Sequence, residues 1–182
     1  MMIPELVLRT QRIDLVATTL QHIESELESP RTLESLLGIS IPSGWPPGEY
    51  DRHALEFFHD RLTAGGPAHV GWYGWYALTR DSVGRRETLV AGAGYLGPPS
   101  AGSVEIGYSV IPEARGRGYA PELVEALVAH AFEFPEVQRV IAHTSDANVA
   151  STQVLLKCGF TRVGAGKESG NVEYQREKPT AT

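Results

Sequence analysis

VEIGYSVIPEARGRGYAPELVEALVAHA, residues 104 to 131, sets a strand, a glycine-rich turn and an amphipathic helix end to end. Val104, Ile106, Tyr108 and Val110 alternate with Glu105, Gly107 and Ser109, the period of a strand. In Arg115-Gly116-Arg117-Gly118-Tyr119-Ala120 the glycines let successive backbone N–H groups converge as an anion-binding nest, and the positive end of the following helix dipole adds to it. A pyrophosphate suits that cradle. Pro121 falls in the first turn of the helix, where its missing N–H has no intrahelical partner to lose. Leu123, Leu127 and Ala131, with Val124, Val128 and Phe132 beside them, form a broad apolar stripe, and Glu122 and Glu125 are expected to face away.

Two common phosphate motifs are excluded. A Walker A loop requires Gly-Lys-Ser/Thr after its glycines, and none follows Gly118. The dinucleotide fingerprint requires Gly or Ala where Pro121 stands, and an acidic residue at the end of a later strand is missing. A literal GxGxxG at Gly92-Ala93-Gly94-Tyr95-Leu96-Gly97 runs into Pro98-Pro99 where a helix should begin, so it reads as a glycine-rich strand.

Arg115-x-x-Gly118-x-Ala120 resembles the Q/R-x-x-G-x-G/A signature of the GCN5-related N-acetyltransferase (GNAT) superfamily, whose loop grips the pyrophosphate of coenzyme A. Leu8-Arg9-Thr10-Gln11-Arg12-Ile13 is similar to the opening strand of its ribosomal-protein alanine acetyltransferase branch. Asn148-x-x-Ser151 through Lys157-Cys158-Gly159-Phe160 is similar to that branch's closing helix and turn. The likeness spans nearly the whole chain and is weakest between Pro30 and Trp75. It implies a GNAT-like acyl-CoA fold, an α+β mixed sheet, mostly antiparallel, of about seven strands flanked by helices and splayed between the fourth and fifth. It also implies an acetyl-CoA-dependent N-acetyltransferase acting on a primary amine by direct attack in a ternary complex.

The resemblance places the cofactor on Val110, Ile111, Arg115, Gly116, Arg117, Gly118, Tyr119, Ala120, Asn148 and Ser151. Val110 and Ile111 would offer a strand edge to the amides of the pantetheine arm, as a sheet edge does to a peptide. Asn148 matches the asparagine that hydrogen-bonds the arm, and Ser151 the serine near the CoA sulfur; both also suit the start of a helix as capping residues. Glu105, ten residues before Arg115, matches the general-base glutamate of several members, the alternative being a solvated strand carboxylate. His143 is a second candidate base, the alternative being a satisfied histidine within Val140-Ile141-Ala142. Many members place a tyrosine four residues before the Gly-Phe pair, but here that position is Leu155, which keeps open a rival reading as an acyl-CoA-binding sensor or assembly module without turnover. A base is useful because neutralising an amine of pKa about 10 at pH 7 costs roughly 4 kcal/mol.

The chain has 182 residues, 42% of them hydrophobic, enough for one sizeable core, and a single domain over residues 1–182 is expected. A net charge of −6 argues against a nucleic-acid groove and mildly favours a cationic acceptor. No long apolar run is present, and Met1-Met2-Ile3-Pro4 is neither a signal peptide nor an anchor, so no membrane partner and a cytoplasmic location are expected. The single cysteine, Cys158, reads as a small buried group rather than an acetyl carrier. The six histidines show no metal-binding spacing, so no metal is expected. The acceptor, a small-molecule amine or a protein N-terminus, and the length of the acyl group stay open, and a homodimer is possible.

Elsewhere, alternation predicts strands over Leu6–Val16, Trp72–Thr79, Thr88–Gly97, Val104–Ile111, Gln138–Thr144, Thr161–Ala165 and Val172–Arg176. Helices are expected over Thr18–Leu27, Thr32–Leu37, Tyr50–Leu62, Pro121–Phe134 and Asn148–Lys157. ISIPSGWPPGEY, residues 39 to 50, is a loop, and its Trp45 is expected to pack or to line a pocket. Trp45, Phe57, Phe58, Trp72, Tyr73, Trp75 and Tyr76 are candidates both for a pocket floor and for the core.

Overall fold

The computed structural model describes residues 4 to 181; Met1, Met2 and Ile3 of the N-terminal segment discussed above lie outside the described residues. Eight strands pair into one sheet: β1 (Val7–Arg9), β2 (Ile13–Ala17), β3 (Gly74–Arg80), β4 (Arg86–Tyr95), β5 (Ser103–Val110), β6 (Arg139–Ser145), β7 (Thr161–Ala165) and β8 (Asn171–Glu177). Their spatial order is β1-β2-β3-β4-β5-β6-β8-β7. Every neighbouring pair is antiparallel except β5 and β6. A parallel pair needs a crossover, and α4 (Tyr119–Phe132) supplies it. The remaining helices are α1 (Leu20–Glu28), α2 (Pro30–Leu37), α3 (Arg52–Gly65) and α5 (Val149–Lys157).

The expected first strand is a hairpin, which raises the count from seven to eight. Thr10 folds the chain back: its amide and hydroxyl both donate to the Ile13 carbonyl at 2.9 Å, and the Ile13 amide donates to its hydroxyl at 3.1 Å. A threonine hydroxyl makes this turn without glycine or proline, so alternation runs through it unbroken in the sequence. Helix starts shift for a similar reason. Thr19 and His22 form a reciprocal capping box on α1, Ser29 caps α2 with Pro30 next to it, and Asp51 caps α3. α4 begins at Tyr119, two residues before Pro121.

Trp75 and Tyr76 show how the sheet is covered, since neighbours in a strand point to opposite faces. Trp75 packs edge-on against His130 of α4, while Tyr76 donates to Glu26 of α1 and packs near Trp45. Both rings are fully buried. β2 is buried along its whole length, as expected for a strand covered on both faces. Leu123, Val124, Leu127, Val128 and Ala131 of α4 are buried, and the Tyr95 hydroxyl donates to the Leu127 carbonyl at 2.6 Å. Glu122 does not face away. It accepts from Thr10 Oγ1 at 2.5 Å and from the Arg12 backbone and guanidinium at 2.7 Å, tying α4 to the β1–β2 turn. These donors hold its carboxyl below its ordinary value against the opposing effect of burial.

The sheet opens where the fourth and fifth expected strands, here β5 and β6, part. Their pairing ends at Ile106 and Ala142, yet β5 continues to Val110 and β6 to Ser145. Among the described residues, no helix is long and apolar enough to cross a membrane.

Candidate functional site

On one side of the splayed strands lies the turn that the sequence singles out. Gly116 and Gly118 adopt φ of 74° and 82°, in the left-handed region, and Gly118 is the N-cap of α4 with no side-chain cap. The first amides of the helix therefore face a cavity of about 570 Å³. Arg115, Gly116, Gly118, Tyr119 and Ala120 line it from the turn, Val110 from β5, and Asn148 and Ser151 from α5. Asn148 caps α5, its Oδ1 accepting from the Ser151 amide at 3.1 Å.

Of the residues expected at the cofactor, Arg115 lines the cradle cavity, whereas Ile111 and Arg117 do not. The Arg115 Nε donates to the Val110 carbonyl at 3.0 Å, so this guanidinium is folded back onto the strand edge. Ile111 turns the other way: its amide donates to Val90 of the β4 strand at 2.9 Å, and it is 1% exposed. Because backbone groups alternate along an antiparallel strand, Val110 and Tyr108 are the residues that present theirs to the gap, and Ile111 is not. Arg117 does not line the cavity. Its carbonyl accepts from Arg12 Nη1 at 2.7 Å, and the same Arg12 guanidinium lies 4.7 Å from the centre of the Tyr119 ring. Arg12 thus braces the cradle from the β1–β2 turn, a role that sequence reading missed because it rests on contacts more than 100 residues apart.

A second cavity, of about 550 Å³, opens on the opposite face of the same strands, and both cavities are lined by Tyr108 and Ser109. Glu105, Gly107 and Ser109 alternate onto this face, with Tyr50 and Phe58 contributed by the residue 39–50 loop and α3. Of the aromatic residues considered as a floor, only Phe58 lines this cavity. Trp75 and Tyr76 are core, Trp45 is 6% exposed, and the rings that do line it with Phe58 are Tyr50, Tyr95 and Tyr108. Large rings bury most area in the centre of the sheet, which is where β3 carries Trp75 and Tyr76.

The two candidate bases form one unit. Glu105 Oε1 lies 2.7 Å from His143 Nδ1, and its other oxygen accepts from Lys167 Nζ at 3.0 Å. The second ring nitrogen of His143 lies 3.2 Å from Glu173, its direct cross-strand partner on β8. Glu105 is therefore not a free solvated carboxylate, and His143 is the satisfied histidine of the alternative reading as well as a neighbour of the cavity. An imidazole with a carboxylate at each nitrogen can take a proton at one and release it at the other.

Across the gap, the Tyr108 hydroxyl lies 3.1 Å from Ser151 Oγ. Burial pushes the phenol up to about 12, so it is a hydrogen-bond donor at neutral pH. Sequence reading looked for a tyrosine on α5, found Leu155, and missed that a tyrosine on β5 reaches the same serine. The burial of Leu155, 1% exposed, accounts for that residue. Cys158 is 2% exposed, donates to the Pro121 carbonyl at 3.7 Å, and burial raises its thiol to about 11, as expected of a small buried group.

Residues 12–161 match the model of the acetyltransferase (GNAT) domain family. An uncharacterized N-acetyltransferase of Bacillus subtilis, YjdG, is 25% identical over 154 residues, 84% of this chain and 88% of that protein. Among solved structures, the ribosomal-protein-S5-alanine acetyltransferase of Vibrio fischeri superimposes with a TM-score of 0.60 at 16% identity, covering 96% of this chain and 100% of that one. The ribosomal L7/L12 alpha-N-protein acetyltransferase RimL, in complex with coenzyme A, superimposes with a TM-score of 0.63 at 18% identity, covering 94% and 98%.

Proposed function

This chain belongs to the acetyltransferase (GNAT) family and is an acetyltransferase, and on that premise we propose that it moves an acetyl group from acetyl-CoA to a primary amine by direct attack in a ternary complex. The observation that carries the reading is the pair of cavities on opposite faces of the sheet, meeting at Tyr108 and Ser109 where β5 leaves β6. The cradle side takes the cofactor and the other side the amine. Acetyl-CoA supplies a thioester, which needs an uncharged nucleophile but little further activation.

The gap-facing backbone of Val110 pairs with the pantetheine amides, and Arg115, displaced from the Val110 carbonyl by the arm, turns to the pyrophosphate held by the amides of Gly116 to Ala120. Asn148 orders the start of α5 beside that arm. Glu105 accepts the proton that the amine must lose, and His143 relays it toward Glu173. The neutral amine nitrogen bonds to the thioester carbon as the carbon–sulfur bond breaks; the departing thiolate accepts a hydrogen bond from the Tyr108–Ser151 pair and is neutralised by the second proton, which the nitrogen sheds on becoming an amide. Buried Cys158 has no part in this route, and none is needed for direct transfer.

Three carboxylates, Glu49, Glu105 and Glu168, line the acceptor side against one lysine, Lys167, which supports a cationic amine. Peptide N-termini head the classes to test, since structural neighbours are named for acetylating ribosomal proteins. The sensor reading is not favoured: a proton-accepting pair stands at the mouth of the gap, and the curated relatives are named N-acetyltransferases. The test is thiol release from acetyl-CoA across small amines, polyamines and peptides beginning with Ala or Ser. Amine-dependent release is expected for at least one class. Tight acetyl-CoA binding with no amine-dependent release would favour the sensor instead.

A further inference from the structure

Gly107 has no structural reason to be a glycine. Gly94, opposite it on β4, has a φ of 150° and faces the Tyr73 carbonyl too closely for any side chain, and Gly92 lies under the Tyr50 ring. A Cβ built on Gly107 meets nothing within 4 Å, and its φ lies outside the left-handed region. Of the other glycines only Gly164 shares both properties, and it sits at a register break in the edge strand β7. Gly107 lies within β5, paired with Gly94 of β4 and one residue past the last pairing with β6, and a glycine there weakens the strand and gives up packing area. It is exposed, and what it faces is the acceptor cavity.

The pair Gly94 and Gly107 therefore leaves a bare patch of sheet two strands wide. Glu105 borders it on one side, two residues along the same face and so about 7 Å away. Ser109 and Tyr50 border it on the other, with Phe58 beside Tyr50 at 6.2 Å between ring centres. An amine whose nitrogen reaches Glu105 and whose body extends toward the aromatic end of the cavity carries its next few atoms over Gly107. Resting on the proposed function, we infer that this patch selects the acceptor by size: it takes the bulky apolar body of a primary amine, an aromatic or branched group close to the nitrogen, and Gly107 is the residue that leaves room for it. The adjoining aromatic wall gives such a body a surface to pack on, which a two-carbon amine leaves unused.

The experiment compares kcat/KM for ethylamine, isobutylamine and benzylamine in the unaltered full-length protein and in Gly107→Val and Gly107→Ala, with acetyl-CoA affinity and melting temperature measured on each. The backbone accepts both substitutions without strain, and valine favours a strand. The unaltered protein should prefer benzylamine to ethylamine, and Gly107→Val should lower that preference tenfold or more, the range that one misplaced carbon or two is worth in a fitted pocket. Gly107→Ala should fall between. An unchanged preference in the variants, with one or more amines turned over, overturns the size inference and leaves the transfer reaction standing. Turnover of none of the three amines overturns the size inference, and the transfer reaction is then decided by the peptide and polyamine arms of the thiol-release test. If Gly107→Val does not fold, the alanine variant decides the matter by the same ratio.

Discussion

Removing the carboxyl of Glu26 should lower the melting temperature by about 4 to 24 °C. Glu26 is 6% exposed and accepts three hydrogen bonds, from Trp45 Nε1 at 2.7 Å, Tyr50 at 3.2 Å and Tyr76 at 2.5 Å. It thereby ties α1 to the residue 39–50 loop and to β3. In Glu26→Ala three buried donors lose their acceptor. The two phenols can pair with each other, which leaves two donors orphaned at about 1 to 3 kcal/mol each, so the loss is roughly 2 to 6 kcal/mol. At about 2 to 4 °C per kcal/mol for a chain of this size, the expected fall follows. Burial raises the Glu26 carboxyl above its ordinary value, with the hydrogen bonds from Tyr76 and Trp45 opposing the shift only in part. A raised carboxyl favours the folded state below the unfolded-chain value and loses that advantage as pH rises through the folded value. Glu26→Gln lacks this titration, so the stability of the native protein relative to Glu26→Gln should decline from about pH 4.5 upward. Differential scanning calorimetry at several pH values measures both effects. Because Tyr50 walls the acceptor cavity, KM for the amine should also rise more than KM for acetyl-CoA in Glu26→Ala. A melting temperature within 2 °C of the native protein would refute the reasoning.

Glu105→Gln should lower kcat a hundredfold to ten-thousandfold, about 3 to 5 kcal/mol of barrier, with acetyl-CoA affinity retained; a pH–rate profile that keeps its height and acidic limb would pass the role to His143 or water. Ser151→Ala should lower kcat by about tenfold while KM for acetyl-CoA moves little, and Tyr108→Phe should act in the same direction because the two hydroxyls are paired. Melting curves on both variants separate this from a structural effect: a lowered melting temperature with kcat intact would make the pair structural. Gly118→Val should abolish acetyl-CoA binding in calorimetry, since φ of 82° disfavours a branched side chain and a Cβ there already comes within 3.2 Å of Arg12. Arg115→Ala should weaken binding by roughly 1.5 to 3 kcal/mol, and unchanged affinity in both variants would refute the cradle assignment.

The cradle was legible because everything that makes it is local. Two glycines with a helix directly behind them define a nest whatever the rest of the chain does. The splay after Ile106 followed from the family resemblance, and the register of β5 with β6 locates it. What sequence could not convey was parity and distance. Whether Val110 or Ile111 faces the gap depends on how β5 pairs with β4, which strand periodicity alone does not state. Glu105 and His143 were named separately, but their hydrogen bond depends on a parallel register between segments 38 residues apart. Tyr108 was hidden by the search for a hydroxyl on α5, although its alternation with Ser109 placed it on the helix side of β5. The Glu26 cluster was illegible for a simpler reason. A glutamate reads as solvated even where, as here, it shares a helix face with a buried isoleucine, Ile23, and the three donors that bury it come from a proline-rich loop and a distant strand.

Direct transfer between two cavities is tested most directly by initial rates over a matrix of acetyl-CoA and amine concentrations, followed by thiol release. A ternary complex gives double-reciprocal lines that intersect, with both substrates bound before any CoA leaves. Parallel lines, together with a burst of CoA released before amine is added, would mean an acetylated protein intermediate and would contradict the account.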